Sequence, residues 1–161
     1  MEEKEVTIRY KEFNSLDELN SNQELLIKKA TIACSNAYSP YSHFQVGAVV
    51  KCSDGRIITG NNQENAAYPS GICAERVALF SAVSQFPEAI ITHLAITVKT
   101  KDGNTHQPVS PCGACRQVIA EYEHRQGKKI EIIFSSETGK GIIVDGIDSL
   151  LPFAFNSDFL P

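Results

Sequence analysis

A layered α/β domain is the fold class that this chain of 161 residues predicts. Three observations carry the expectation. Helix-like and strand-like segments alternate, a pattern that packs helices against a sheet. Hydrophobic residues make up 42% of the chain, enough for one real core at this length and short for two. No repeat, low-complexity tract or Gly/Ser-rich linker interrupts it, so residues 1–161 read as a single domain.

Each element follows from local chemistry. Val6, Thr7, Ile8, Arg9 and Tyr10 read as a short extended piece, followed by a polar connector. Ser21 or Asn22 is expected to cap a helix over residues 23–37, with Leu25, Leu26, Ala30, Ala33 and Cys34 on one face. Pro40 ends it, because the residue before a proline avoids helical angles. Residues 44–52 and 56–61 read as strands joined by Ser53, Asp54 and Gly55, a strong hairpin signal. A polar loop over residues 62–71 leads into a helix over 73–85, and residues 90–98 read as a buried strand. Residues 101–109 read as an exposed loop. A second long helix starts at Pro111 or Cys112, where the missing proline N–H costs least, and runs to Gln126 before Gly127 stops it. Residues 129–134 and 141–144 are further strands, and residues 147–151 a helical turn.

Charge and composition exclude several classes. Fifteen Lys and Arg against nineteen Asp and Glu leave a net charge of -4. No basic cluster replaces the counterions of a polynucleotide, so long DNA or RNA is not an expected partner. No apolar run reaches spanning length, which argues against a membrane protein. The acidic start, Met1-Glu2-Glu3-Lys4-Glu5, lacks the pattern of a secretory signal, and a cytoplasmic protein is expected. Five cysteines at uneven spacing, without a sequon, argue for metal or redox chemistry rather than a disulfide framework.

The informative constellation is Cys73-Ala74-Glu75 with Pro111-Cys112-Gly113-Ala114-Cys115. A Cys-x-x-Cys at a helix start brings two sulfurs to one side of a turn, where the helix dipole favours thiolate. Cys73 opens another helix and can bring a third. Three ligands leave one tetrahedral position open, the mark of a catalytic rather than a structural zinc site. Glu75 then stands beside the open position, free to move protons. The plainer alternatives are a dithiol redox site, a closed zinc knuckle and, for Glu75, an ordinary first-turn helix acid. Cys34 and Cys52 sit in apolar contexts and read as small buried hydrophobes. His43, His93, His106 and His124 have no ligand-like spacing to the cysteines.

The sequence resembles the three-cysteine zinc deaminases, in particular the cytidine deaminases of the homotetrameric type. The runs that carry the resemblance are Ser39 to Ala48, Asn62 to Pro69, Cys73-Ala74-Glu75-Arg76, Ser110 to Gln117, and Leu150-Leu151-Pro152-Phe153-Ala154-Phe155. They occur in family order over residues 39–155, and residues 1–20 stand as an N-terminal extension. The resemblance implies a three-layer α-β-α sandwich around a five-stranded mixed sheet. It implies that Cys73, Cys112 and Cys115 hold one zinc per subunit, that Glu75 shuttles protons, and that Arg76 hydrogen-bonds the thiolates. Phe44 would pack by the nucleoside, Asn62 and Glu64 would bind the ribose hydroxyl, and Ala74 and the Ser110 carbonyl would face the base and the leaving ammonia. Ala66, Tyr68 and Phe155 would reach a neighbouring subunit's site, so a homotetramer is expected.

The implied reaction is hydrolysis of cytidine and 2'-deoxycytidine to uridine and 2'-deoxyuridine with release of ammonia, a step of pyrimidine salvage. A blasticidin-type deaminase shares the zinc core, but the polar loop Asn62-Gln63-Glu64-Asn65 suits a ribose. A non-catalytic zinc-stabilised binding module would keep the cysteines and have no need of Glu75.

Overall fold

The computed structural model describes residues 1–103 and 105–161. Strands β1 (Lys11–Phe13), β2 (Phe44–Cys52), β3 (Ile57–Asn61), β4 (Ile91–Thr100), β5 (Glu131–Ser135) and β6 (Gly141–Asp145) form one sheet in the order β1-β6-β5-β4-β2-β3. β4 and β5 run parallel, and the other neighbours are antiparallel. Three α-helices accompany them: α1 (Ser21–Cys34), α2 (Ala74–Gln85) and α3 (Gly113–Gln126). α3 makes the crossover that a parallel pair requires.

Alternation along the strands distributes the helices. Val49, Ala95, Ile133 and Ile143 point to one face and pack with Leu26, Ile27 and Ala30 of α1. Their neighbours Ala48, Val50, Leu94, Ile96, Ile132, Phe134 and Val144 point to the other face, against Ala78, Leu79 and Ala82 of α2 and Ile119 and Ala120 of α3. Helices therefore cover both faces of the sheet, and two helix starts lie on the same side of it.

The sheet has six strands, where five were expected. The extra strand is β1, which pairs with the outer edge of β6 in the register Lys11 to Ile143 and Phe13 to Gly141. Phe13, buried, drives the addition: its ring fills the space over Gly141, where a Cβ would fall 2.1 Å from Phe13 Cζ. The extended piece expected at residues 6–10 forms no strand, and Val6, Ile8 and Tyr10 are exposed. Their alternation finds no partner, and pairing begins at the next residue.

Helix α1 is capped by Asn20 rather than by Ser21 or Asn22. Asn20 Oδ1 accepts from Gln23 N at 2.9 Å, and Gln23 Oε1 accepts from Asn20 N at 3.2 Å, a reciprocal capping box. α1 stops at Cys34, three residues before the expected end, because Tyr38 is drawn into extended pairing with the 62–64 loop. Its N–H donates to Asn62 O at 3.0 Å, and its carbonyl accepts from Glu64 N at 2.8 Å. Leu25, expected on the buried face, is exposed, and Ile27 takes the core position. The hairpin at Ser53 to Gly55, the stop at Gly127 (φ 61°) and the turn at Ile147–Ser149 form where expected. Of the loop expected at residues 101–109, Lys101, Asp102 and Gly103 are exposed, and Asn104 lies outside the described residues. Among the described residues no helix is long and apolar enough to cross a membrane.

Gly60 on β3 decides where α2 begins. A Cβ there would lie 2.5 Å from both Ala74 O and Ala78 N, so only glycine lets the first turn of α2 seat against the sheet. That contact fixes the height of Cys73 and Glu75.

Candidate metal centre

Both α2 and α3 open on a cysteine. Cys73 (φ -76°, ψ 153°) and Cys112 (φ -67°, ψ 167°) are the N-cap residues, extended, and neither uses its side chain to cap. Their sulfurs are left free to point at one another. Cys115, buried, follows within the first turn of α3. The three Sγ atoms lie within 4.8 Å of one another, with Cys73 and Cys112 3.8 Å apart and Cys112 and Cys115 3.4 Å apart. Among the described residues this is the one cluster of three or more such donors. Three sulfurs converging from two helix starts suit zinc, a borderline-soft ion that favours thiolate.

Electrostatics prepare the cluster for a cation. The Cys73 thiol is lowered to about 5, first by a hydrogen bond from Cys115 and then by Arg76, whose Nη2 lies 3.7 Å from Cys73 Sγ. The same bond, together with burial, raises Cys115. A metal held by the three sulfurs would displace the protons they share. Among the described residues the buried Arg76 Nε has no hydrogen-bond partner. Glu75 is 5% exposed, and burial raises its carboxyl above the ordinary carboxylate range.

Cys73 and Cys112 stand on the wall of a cleft of about 860 Å³. Most of the residues singled out from the sequence also line it: Phe44, Asn62, Glu64, Tyr68, Ala74, Glu75, Arg76 and Ser110. Cys115 lies behind the wall. Asn62 is committed in part to the fold, since its Oδ1 accepts from Val46 N at 2.8 Å and its Nδ2 donates to Phe44 O at 2.9 Å. It thereby fixes the backbone that carries Phe44, and its amide keeps a second N–H and a second lone pair. Ala66 and Phe155 do not line the cleft of this one chain: both are exposed, and Phe155 stacks on Phe159 with centroids 5.6 Å apart. Cys34 and Cys52 are buried as expected, and burial raises both thiols, Cys34 to about 11.

Tyr41 and Ser42, which carry no motif role of their own, also line the cleft. They orient Glu64: Tyr41 N and Ser42 N donate to Glu64 Oε2 at 3.0 and 3.3 Å, and Ser42 Oγ donates to Oε1. The Ser42 hydroxyl is the chief cause of a carboxyl held below the usual range. The available signal was Ser-Pro-Tyr-Ser itself, a turn rich in donors with no second use.

Fold and site together define a metal-site α/β protein with three thiol donors and a buried carboxylate at an open cleft. The family profile described as "Cytidine and deoxycytidylate deaminase zinc-binding region" matches residues 20–128, and the chain belongs to that family. β1 precedes the match. A cytidine deaminase of Halalkalibacterium halodurans is 48% identical over 100 residues, covering 62% of this chain and 71% of that one. One from Sporosarcina psychrophila is 48% identical over 99 residues, covering 62% and 68%. The crystal structure of a cytidine deaminase from Burkholderia pseudomallei superimposes with a TM-score of 0.72 at 37% identity, covering 85% of this chain and all of that one.

Proposed function

We propose that this protein is a zinc-dependent hydrolase that converts cytidine and 2'-deoxycytidine, with water, to uridine and 2'-deoxyuridine and ammonia. The observation that carries the reading is the convergence of Cys73, Cys112 and Cys115 at a cleft wall that also carries the buried Glu75 carboxyl, with Cys115 just behind it. Family membership and the names of the relatives support it.

Cys73, Cys112 and Cys115 would hold the metal, and Ala74 and Glu75 follow directly on the first of them. When bound, zinc supplies a Lewis acid that acidifies water near neutral pH. Glu75 acts on protons: it takes one from the attacking water and delivers it to N3 of the cytosine ring, which makes C4 electrophilic. It then takes the second proton from the hydroxyl now on C4 and passes it to the amino group, which leaves as ammonia. A carboxyl raised by burial suits both halves of this work, since it takes and returns a proton closer to neutral pH than a solvated one.

The rest of the cleft positions the nucleoside. Phe44 packs against it, Asn62 and Glu64 address the ribose hydroxyl, and the Ala74 backbone and Ser110 carbonyl face the base. Ala66, Tyr68 and Phe155 are exposed, Tyr68 at 77% and Phe155 at 55%. Apolar rings in this setting fit burial against further copies, and a homotetramer completes each site from a neighbour. The reaction belongs to pyrimidine salvage in the cytoplasm, carried by one domain with residues 1–20 as an extension.

The test is the ultraviolet change of cytidine incubated with zinc-replete protein, followed alongside ammonia release. Matching loss of cytidine absorbance and gain of ammonia supports the reading. No change with zinc shown to be bound refutes it and moves the search to another aminopyrimidine.

A further inference from the structure

Arg116 directly follows Cys115, yet its guanidinium donates three hydrogen bonds and none goes to sulfur. Nε donates to Pro111 O at 2.8 Å, Nη2 to Ser110 Oγ at 2.7 Å and Nη1 to Leu150 O at 2.9 Å. The first two acceptors belong to the segment that leads into Cys112. Ser110 and Cys112 line the cleft, while Pro111 between them is buried and does not. The guanidinium thus holds this segment from behind the cleft wall.

The third acceptor belongs to a different part of the chain. Leu150 and Leu151 pack on the core shared by α2 and α3, and beyond them the tail emerges with Phe153 at 88% exposure. The next residue of α3 holds the tail again, Gln117 Nε2 donating to Phe155 O at 2.7 Å. One turn of α3 therefore carries Cys115, the grip on Ser110 and Pro111, and two grips on the C-terminal tail. A guanidinium is a planar fork whose donors keep fixed relative directions, so three acceptors on one fork are fixed relative to each other.

We propose that Arg116 is a positioning residue for the reaction: it aligns the cleft wall at Ser110, where the amino group departs, and makes that alignment depend on the seating of the C-terminal tail. The inference rests on the deaminase reading for what departs at Ser110. The clamp itself rests on the three hydrogen bonds alone. Lysine in its place keeps the charge and reaches one acceptor well, but it cannot hold three in a plane.

The experiment compares Arg116→Lys, Ser110→Ala and the double variant with the unaltered protein, all zinc-loaded. It reads zinc content, kcat and KM for cytidine, and hydrogen exchange of the backbone amides over residues 150–155. Arg116→Lys is expected to bind zinc in full and keep KM within about threefold while kcat falls about 10- to 100-fold, the scale of an ångström-level misplacement. Exchange over residues 150–155 rises. Ser110→Ala lowers kcat by a smaller factor, and the double variant is no worse than Arg116→Lys, because both act through one contact. A kcat for Arg116→Lys within about twofold of the unaltered protein overturns the proposal, as do losses that simply add. Should Arg116→Lys not fold, Ser110→Ala decides: lowered kcat at constant KM supports the proposal, and unchanged kcat overturns it. If the unaltered protein does not deaminate cytidine, the deaminase reading fails, and unchanged tail exchange in Arg116→Lys would separately refute the clamp.

Discussion

The guanidinium of Arg76 lies 3.7 Å from the sulfur of Cys73, one turn further along the same helix. The contact would answer a problem that the proposed three-cysteine ligand set poses. Three thiolates around a divalent cation leave a net charge of -1, which makes the metal a poorer acidifier of water than one bound by neutral ligands. The starts of α2 and α3 contribute partial positive charge. Arg76 contributes a full one, next to Glu75, the residue proposed to move the protons.

Arg76→Gln is therefore expected to move the acid limb of the pH–rate profile upward by about one unit, the scale of a single charge acting across 4 Å of watery surroundings. The measurement is kcat/KM for cytidine against pH. An unchanged profile removes Arg76 from the electrostatics of the reaction.

Glu75→Ala takes away the one buried carboxyl at the cluster and leaves the sulfurs in place. Zinc content should stay full while kcat falls by about 10²- to 10⁴-fold, the usual worth of a positioned proton shuttle. A variant that turns over at a near-normal rate would show that another group moves the protons.

Ser42→Ala tests the hydroxyl that holds Glu64. Glu64 titrates below its ordinary value, chiefly through that hydrogen bond, so its ionised form stabilises the folded loop above the unfolded pKa. This contribution is lost as pH falls through the lower, folded value. In the variant the folded pKa rises toward the unfolded one, so the contribution is smaller and its loss is complete at higher pH. A carboxyl NMR titration of Glu64 reads the shift directly, and no movement would mean that the Tyr41 and Ser42 amides alone set the pKa.

Phe13→Ala removes the side chain that anchors the sixth strand. The expected cost is about 3 kcal/mol from lost burial and the void over Gly141, with kcat unchanged because β1 lies at the sheet edge far from the β2–β3 side that carries the cleft. Thermal or urea unfolding measures the first and steady-state kinetics the second. Full stability would make β1 an appendage rather than part of the core.

Much of this molecule was legible in residue order because local and global preferences agree. Asp54-Gly55 between β-rich runs made a hairpin, and the cysteines at two helix starts met where the motif spacing placed them. The misreadings share a cause: each depended on a partner distant in sequence. Residues 6–10 have the alternation of a strand, but only Phe13 finds an apolar place, over a glycine 128 positions later. Leu25 and Ile27 are equally apolar, and the sheet decides which is covered. Asn20 caps α1 through a box closed by Gln23, although Ser21 with Glu24 three residues on has the same local signature. Ser42 holding Glu64 and Arg116 holding Leu150 were hidden for the same reason, since polar side chains choose acceptors only after the chain has folded.

The separation of Cys73 from Cys112 carries a last consequence. The two lie 39 positions apart, and the chain between them includes all of α2 and β4. An ion shared by their sulfurs would tie off that stretch as a closed ring in any unfolded chain that keeps it bound. On the polymer scale used for covalent cross-links, such a ring removes about 4 kcal/mol of disorder from the denatured ensemble. A metal that readies water at the proposed reaction centre would thus also be a knot in the thread, lending its strength to the middle of the sheet.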